Sequence, residues 1–179
     1  MLEKVHQFVL EIAYPLAFMM QRAKDHFMWF NSYITTYIER DIRSIGELRE
    51  IDNFIRFFNI LAPRSANILN KSNIANDAKL NNITVDNYLS LLEKVYQIHL
   101  LKPYYENIGE SFIKSPKVYL IDSGISSHVL NISSVKELGR SLYKGDVYET
   151  FVFAELLKHI NYSENVMEFF TSEHKIKKR

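Results

Sequence analysis

The sequence predicts an α+β fold, mostly helical. Three parts follow one another: a helical connector over residues 1–50, a winged helix-turn-helix with a β-hairpin over 51–114, and a shorter α/β piece over 115–179. Three observations predict this. Apolar residues recur at helical spacing through much of residues 5–61. Two short helical patterns meet at an Asn81-Asn82 turn within residues 69–97. Strand-like runs then follow, bounded by turn residues.

Residues 5–28 read as a helix broken at Pro15, with Phe8, Val9, Ile12 and Ala13 on one stripe. That stripe reads either as a core helix or as an interface. A longer helix is expected over 27–48, where Phe27, Phe30, Tyr33, Ile34, Tyr37, Ile38, Ile42 and Ile45 share a face. Gly46 is a reasonable stop. Asp52 is the expected N-cap of a helix over 53–61, whose Phe54, Phe57, Phe58 and Leu61 face a core, and Pro63 ends it.

The first helix of the central pair carries Ile74, Ala75 and Ala78 on one side. Asn81-Asn82 is turn chemistry, because short amide side chains tolerate left-handed backbone angles. Thr84 is the expected N-cap of the second helix. Its buried stripe reads Val85, Leu89, Leu92 and Tyr96, widened by Tyr88, Leu91 and Val95. Residues 98–105 and 111–114 read as two strands around a Gly109 loop, the expected wing, with Pro103 at an edge. Val118 to Asp122 reads as a buried strand whose aspartate caps the next turn. A mixed polar stretch to Gly145 comes next. Then comes a helix over 147–160, with Phe151, Val152, Ala154, Leu156, Leu157 and Ile160 turned inward, and a last strand over 166–170.

Composition narrows the function classes. The chain has 179 residues, 47% hydrophobic and 24% charged, which is globular. The net charge of +1 provides no global field toward nucleic acid or membrane. The absence of cysteine removes disulfides and thiolate metal sites. No apolar run approaches the roughly 20 residues that span a bilayer, and the amino terminus lacks a signal-peptide pattern. A cytoplasmic location without a membrane partner is the expectation.

Catalytic patterns are sparse. The five glycines, at 46, 109, 124, 139 and 145, cannot build a P-loop, which needs Gly, four residues, then Gly-Lys-Ser/Thr. Val118–Asp122 has the shape of a Walker B strand, but no loop accompanies it to hold nucleotide. The six histidines do not pair at i, i+4 around an acid, as a helical zinc site would need. No Gly-x-Ser-x-Gly elbow occurs.

The helix pair raises nucleic-acid binding. Asn82 and Asn87 are placed to read base edges, and Lys71, Lys79, Lys94, Lys102, Lys114 and Lys117 to meet phosphates. Against that, the outward face of the second helix carries Asp86 and Glu93 beside the single base Lys94. Two acids against one base suit a polyanion poorly.

Several motifs, in this order, carry a resemblance. They are Tyr37-Ile38-Glu39-Arg40-Asp41, Leu69-Asn70 through Ala75-Asn76, and Thr84-Val85 with Tyr88-Leu89-Ser90-Leu91-Leu92-Glu93. Lys114 to Tyr119 with Asp122-Ser123-Gly124 comes after them, then Gly145 with Glu149-Thr150-Phe151-Val152 and Glu155-Leu156. Over roughly residues 14–170 the chain resembles the C-terminal half of prokaryotic AAA+ ATP-binding proteins that end in a domain of unknown function. The resemblance implies a winged helix followed by a restriction-endonuclease-like α/β region, here truncated. It implies that ATP and Mg would act only through an N-terminal ATPase core that these residues do not contain, so no cofactor is expected in this chain. It implies an ATPase domain or another protein as partner, or DNA. Glu149 alone matches a nuclease-like acid and is the one catalytic candidate.

The expected function is therefore a non-catalytic docking region. The alternatives are a stand-alone winged-helix DNA-binding protein and a degenerate metal-dependent nuclease.

Overall fold

A computed structural model describes residues 9–10, 23–38, 40, 50–104, 115–162 and 171. Among them the chain is mostly helical with one small antiparallel sheet, an α+β arrangement. The expected strands over 111–114 and 166–170, the Gly109 loop, Lys114 and most of the first helix lie outside the described residues.

Helix α1 spans Ala23–Tyr33 and runs into one π-helical stretch, Ile34–Ile38. It starts four residues before the expected Phe27. Helix α2 spans Ile51–Leu61. Its N-cap is Glu50 rather than Asp52, which sits in the first turn where a carboxylate suits the helix dipole. Phe54, Phe57, Phe58 and Leu61 are buried, as the spacing requires. A 3-10 turn, Ala62–Arg64, accommodates Pro63 in its first positions, where a missing N–H costs nothing. The short strand β1, Asn67–Ile68, comes next.

Helix α3, Lys71–Ala78, is capped by Asn70, whose side chain accepts from the Asn73 N–H at 3.0 Å. Lys79 ends it in the left-handed conformation, φ 54°. Helix α4 spans Asn82–Lys94. Its cap is Asn81, not Thr84: the Asn81 side chain accepts from the Thr84 N–H at 2.8 Å. The helix therefore starts earlier than expected. Val85, Tyr88, Leu89 and Leu92 are buried. Tyr96 leaves the stripe because the helix has ended. A left-handed turn, φ 55°, leaves its ring 82% exposed.

Strand β2 is Ile98–Leu101 and β3 is Lys117–Leu120. The sheet order is β1-β3-β2, both pairings antiparallel, with His99 opposite Tyr119 and Asn67 opposite Val118. Among the described residues the strand paired with β2 is 117–120, and it also carries β1. The unit built from α2, α3 and α4 shares its sheet with residues beyond position 114. Past Leu101, Thr171 bridges in parallel to Pro103. The bonds come from the Tyr104 N–H and the Lys102 carbonyl, so the proline ring costs no donor.

Asp122 caps helix α5, Ser123–Val129, accepting from the Ile125 N–H at 2.8 Å. Helix α6 is Val135–Arg140, capped by Ser134, and the long helix α7 is Lys144–Tyr162. On α7 the buried residues are Val147, Thr150, Phe153 and Ala154. Val152 and Leu156, expected inside, are exposed, because among the described residues α7 packs on β3, α5 and α6 through the side that carries Val147, Thr150, Phe153 and Ala154.

The main core joins Phe30, the α2 phenylalanines, Ile74, Val85, Leu89, Leu92, Ile98, Val118, Leu120 and Ile125. Tyr88 meets Phe54 edge-on, ring centroids 5.2 Å apart. Each such fully buried ring contributes about 1.5–3 kcal/mol over an exposed one. A second cluster holds Val9, Leu10, Ile132, Leu138 and Val147.

Candidate docking surface

Helix α4 positions the surface. Its inner stripe is fixed in the core, so Asn82, Ile83, Asp86, Asn87, Ser90 and Lys94 face outward. Ile83 is 74% exposed, an apolar side chain with no core to join. Lys71, on the first turn of α3, pairs with Asp86 at 2.6 Å. Arg64 is likewise engaged by Asp77 and by the Ile60 carbonyl. Lys71 at this face, and Arg64 beside α3, thus meet carboxylates of the same chain rather than standing ready for phosphates.

Glu93 is exposed on α4, but its carboxyl also meets the sheet. Burial pushes its carboxyl up, while the Leu100 backbone N–H, Lys102 and Lys71 pull it down. The hydrogen bond to Leu100 sets the carboxylate against the edge of β2 that has no strand partner among the described residues, a way to blunt an edge strand. Lys102 is exposed and assists electrostatically. Lys79 is the left-handed cap of α3 and Lys94 closes the last turn of α4, both exposed. Asn82 and Asn87 are exposed on α4, with Lys94 on the same helix. The structure thus brings together Lys71 with α4, and Lys102 with Glu93.

Beside this face, an open cleft of about 340 Å³ runs between Ile68–Ser72 and Ser115–Pro116. Ile68, on the edge strand β1, is 60% exposed. Sequence reading misses this cleft, since it forms from segments over 40 residues apart.

Glu149 lies on α7 over β3. Its Oε1 accepts from Lys117 Nζ at 2.5 Å and from the Tyr119 hydroxyl at 2.6 Å. Burial, and then the Glu149 carboxylate, drive the Tyr119 hydroxyl well above its usual range. Tyr119 stacks on Phe153 at 3.9 Å, and His99, lowered by burial, lies 5.4 Å from the same Phe153 ring. This arrangement fastens α7 to the sheet. Among the described residues, no group of three or more His, Asp or Glu side chains comes together as a metal site would need. Nothing in the sequence marks Lys117 or Tyr119 as Glu149's partner; β3's register alone brings them there.

Behind the same strand, Ser65 Oγ lies 2.7 Å from Thr150 Oγ1 and accepts from the Leu120 N–H at 3.0 Å. Asp122 is 5% exposed, and burial pushes its carboxyl up to about 6 against backbone hydrogen bonds from Ile125 and Gly124 and the Lys158 charge. Among the described residues, no helix is long and apolar enough to cross a membrane.

Comparison with known proteins adds a family. The chain is 28% identical over 142 residues to an uncharacterized protein of Mycobacterium tuberculosis, and by the same measure to one of Mycobacterium bovis. The aligned residues are 79% of this chain but 32% of each relative, so the chain spans about a third of their length. No solved structure matches. A family model described as a domain of unknown function, DUF8612, matches residues 2–136, and the chain belongs to that family.

Proposed function

We propose that residues 51–120 form a winged helix-turn-helix and that the chain is a non-catalytic docking region of an AAA+ ATPase-type protein, with α4 as its contact helix and a protein as its partner. The winged-helix part rests on element order. A helix, a short strand, two helices across a tight turn, then two strands give sheet order β1-β3-β2 with the first strand on the edge. The length of the relatives, about three times the aligned region, suits a module joined to other domains.

One observation carries the choice of a protein partner. The outward face of α4 has its acid paired to Lys71, keeps Ile83 exposed, and lies beside the partly apolar cleft at Ile68 and Pro116. Apolar anchors with locally neutralised charge fit a polypeptide surface. A polyanion needs unpaired cations.

A photo-crosslinker at Asn87 tests this in cells that natively produce the chain. The expected product is a protein adduct that Ile83→Asp abolishes while the fold stays intact by circular dichroism. Adducts to nucleic acid alone reject the reading. Micromolar Mg-ATP binding by the purified chain rejects its non-catalytic part.

Duplex DNA is the second reading, favoured by exposed Asn82 and Asn87 on the same helix as Lys94. It expects a salt-dependent gel shift lost in Lys79→Glu/Lys102→Glu. No shift at low salt ends it.

A further inference from the structure

The turn Asp122-Ser123-Gly124 joins distant parts of the chain. Ser123 Oγ donates to the Val9 carbonyl at 2.6 Å. Gly124 has no side chain where space is shortest. A methyl there would stand 2.6 Å from the Phe30 ring, 2.9 Å from the Leu10 carbonyl oxygen and 2.9 Å from Asp122 Oδ1. The Asp122 carboxyl, a backbone carbonyl of the N-terminal segment and an aromatic ring thus converge on one small volume. Asp122 Oδ1 is satisfied by the Ile125 N–H, but Oδ2 is buried without a donor among the described residues.

Among the described residues the surrounding charges are few. Helix α7 contributes Lys158, which also pairs with Glu155. The titratable group of α5 itself is His128, stacked on Phe30 and lowered by burial. Helix α1 brings the Phe30 ring, and the Val9–Leu10 pair brings carbonyls. Lys117 of β3 is held by Glu149, and Arg64 of the 3-10 turn by Asp77.

We propose that this turn is a proton-sensitive joint, in which the N-terminal segment at Val9–Leu10 is seated most firmly when the Asp122 carboxyl is uncharged. A carboxylate there keeps Oδ2 buried without a donor, while its Oδ1 and the Leu10 carbonyl oxygen each lie 2.9 Å from one point at Gly124, a costly arrangement in a dry site. The neutral acid removes the charge and adds an O–H donor. The joint is independent of what α4 binds. Linkage sets the sign. In the seated state burial holds the carboxyl at about 6; once water reaches it, the group returns toward its ordinary 3.8. Seating is fully strengthened below the lower value, weakens by up to about tenfold per pH unit between the two, and is lowest above the upper one.

Amide hydrogen exchange on the full chain, corrected for the intrinsic pH effect, tests this in peptides containing Leu10 and residues 123–129. Between pH 5 and 7.5 the wild type is expected to lose roughly tenfold in protection, with an inflection close to pH 6. Asp122→Asn, which keeps the cap, is expected to be flat. Lys158→Met is expected to move the inflection upward, because it removes the cation that favours the charged form. Ser123→Ala is expected to lower protection at every pH without moving the inflection. A wild type without pH dependence, or an Asp122→Asn profile that tracks it, overturns the proposal. If Asp122→Asn does not fold, the Lys158→Met inflection decides, and an unmoved one overturns it.

Discussion

Residues 51–101 and residues 117–162 are held together by different physics. The first region closes over large apolar side chains: Phe54, Phe57, Phe58, Leu61, Ile74, Val85 and Leu92 are all nearly inaccessible. Its helices α3 and α4 are capped locally by Asn70 and Asn81. The second region buries apolar side chains too, Leu120, Ile125 and Leu138 among them, but it adds small and polar groups: Ser123, Ser126, Ser127, Thr150 and Asp122 are buried there, with Gly124 at the tightest contact. Large side chains tolerate small shifts in position, because burial is non-directional. Hydroxyl pairs and a bare Cα do not, because hydrogen bonds and contact distances are directional and short. The first region should thus lose stability in proportion to volume removed, and the second in proportion to geometry disturbed.

The largest expected effect is Phe57→Ala, about 3–5 kcal/mol by denaturant unfolding, since it removes a fully buried ring that also contacts Tyr88. A loss under about 1 kcal/mol would mean that the apolar core is not what holds α2. Next is Gly124→Ala. The added methyl meets backbone and ring atoms at 2.6 and 2.9 Å, so a loss of about 1–3 kcal/mol is expected although volume is gained. A neutral outcome would erase the contrast between the regions. Third is the Ser65–Thr150 pair. Thr150→Val leaves the buried Ser65 hydroxyl without that partner and should cost about 1–3 kcal/mol. In a double-mutant cycle with Ser65→Ala the two losses should not add. Asn81→Ala should cost about 1 kcal/mol, the usual value of an N-cap. The smallest change is Glu149→Gln. Its ion pair with Lys117 is partly exposed, so less than about 1 kcal/mol is expected, and less still in high salt.

The first region is largely legible in the sequence and the second is not. Phe54, Phe57, Phe58 and Leu61 announce an amphipathic helix by spacing alone, and all four are buried. Asn81 reads as turn chemistry but not as a cap, because Thr84 offers the same hydrogen-bonding type three residues on. Tyr96 fits the periodic stripe yet lies outside it, since periodicity cannot see the left-handed residue that ends the helix. On α7, Val152 and Leu156 look buried by hydropathy and are exposed, while Thr150 looks exposed and is inaccessible. A hydropathy pattern assumes that every buried position is apolar, and the Ser65–Thr150 hydroxyl pair breaks that assumption.

The candidate surface divides in the same way. Exposure of Asn82 and Asn87 comes directly from the α4 stripe. The pairing of Lys71 with Asp86, the turn of Glu93 onto the β2 edge, and the fastening of Glu149 by Lys117 and Tyr119 do not.

By itself, the sequence determined that α2, α3, α4 and α7 are helical, which faces of α2, α3 and α4 are buried, and that Asp122 caps the turn after β3. All of these are local: they depend on residues within a turn or two of one another, and spacing encodes them directly. Only the tertiary structure decided that β3 runs between β1 and β2, which charges near α4 are neutralised, and that Gly124 must be bare for Leu10 and Phe30 to approach. Those depend on register and contact between segments tens of residues apart, where a shift of one residue would exchange every partner.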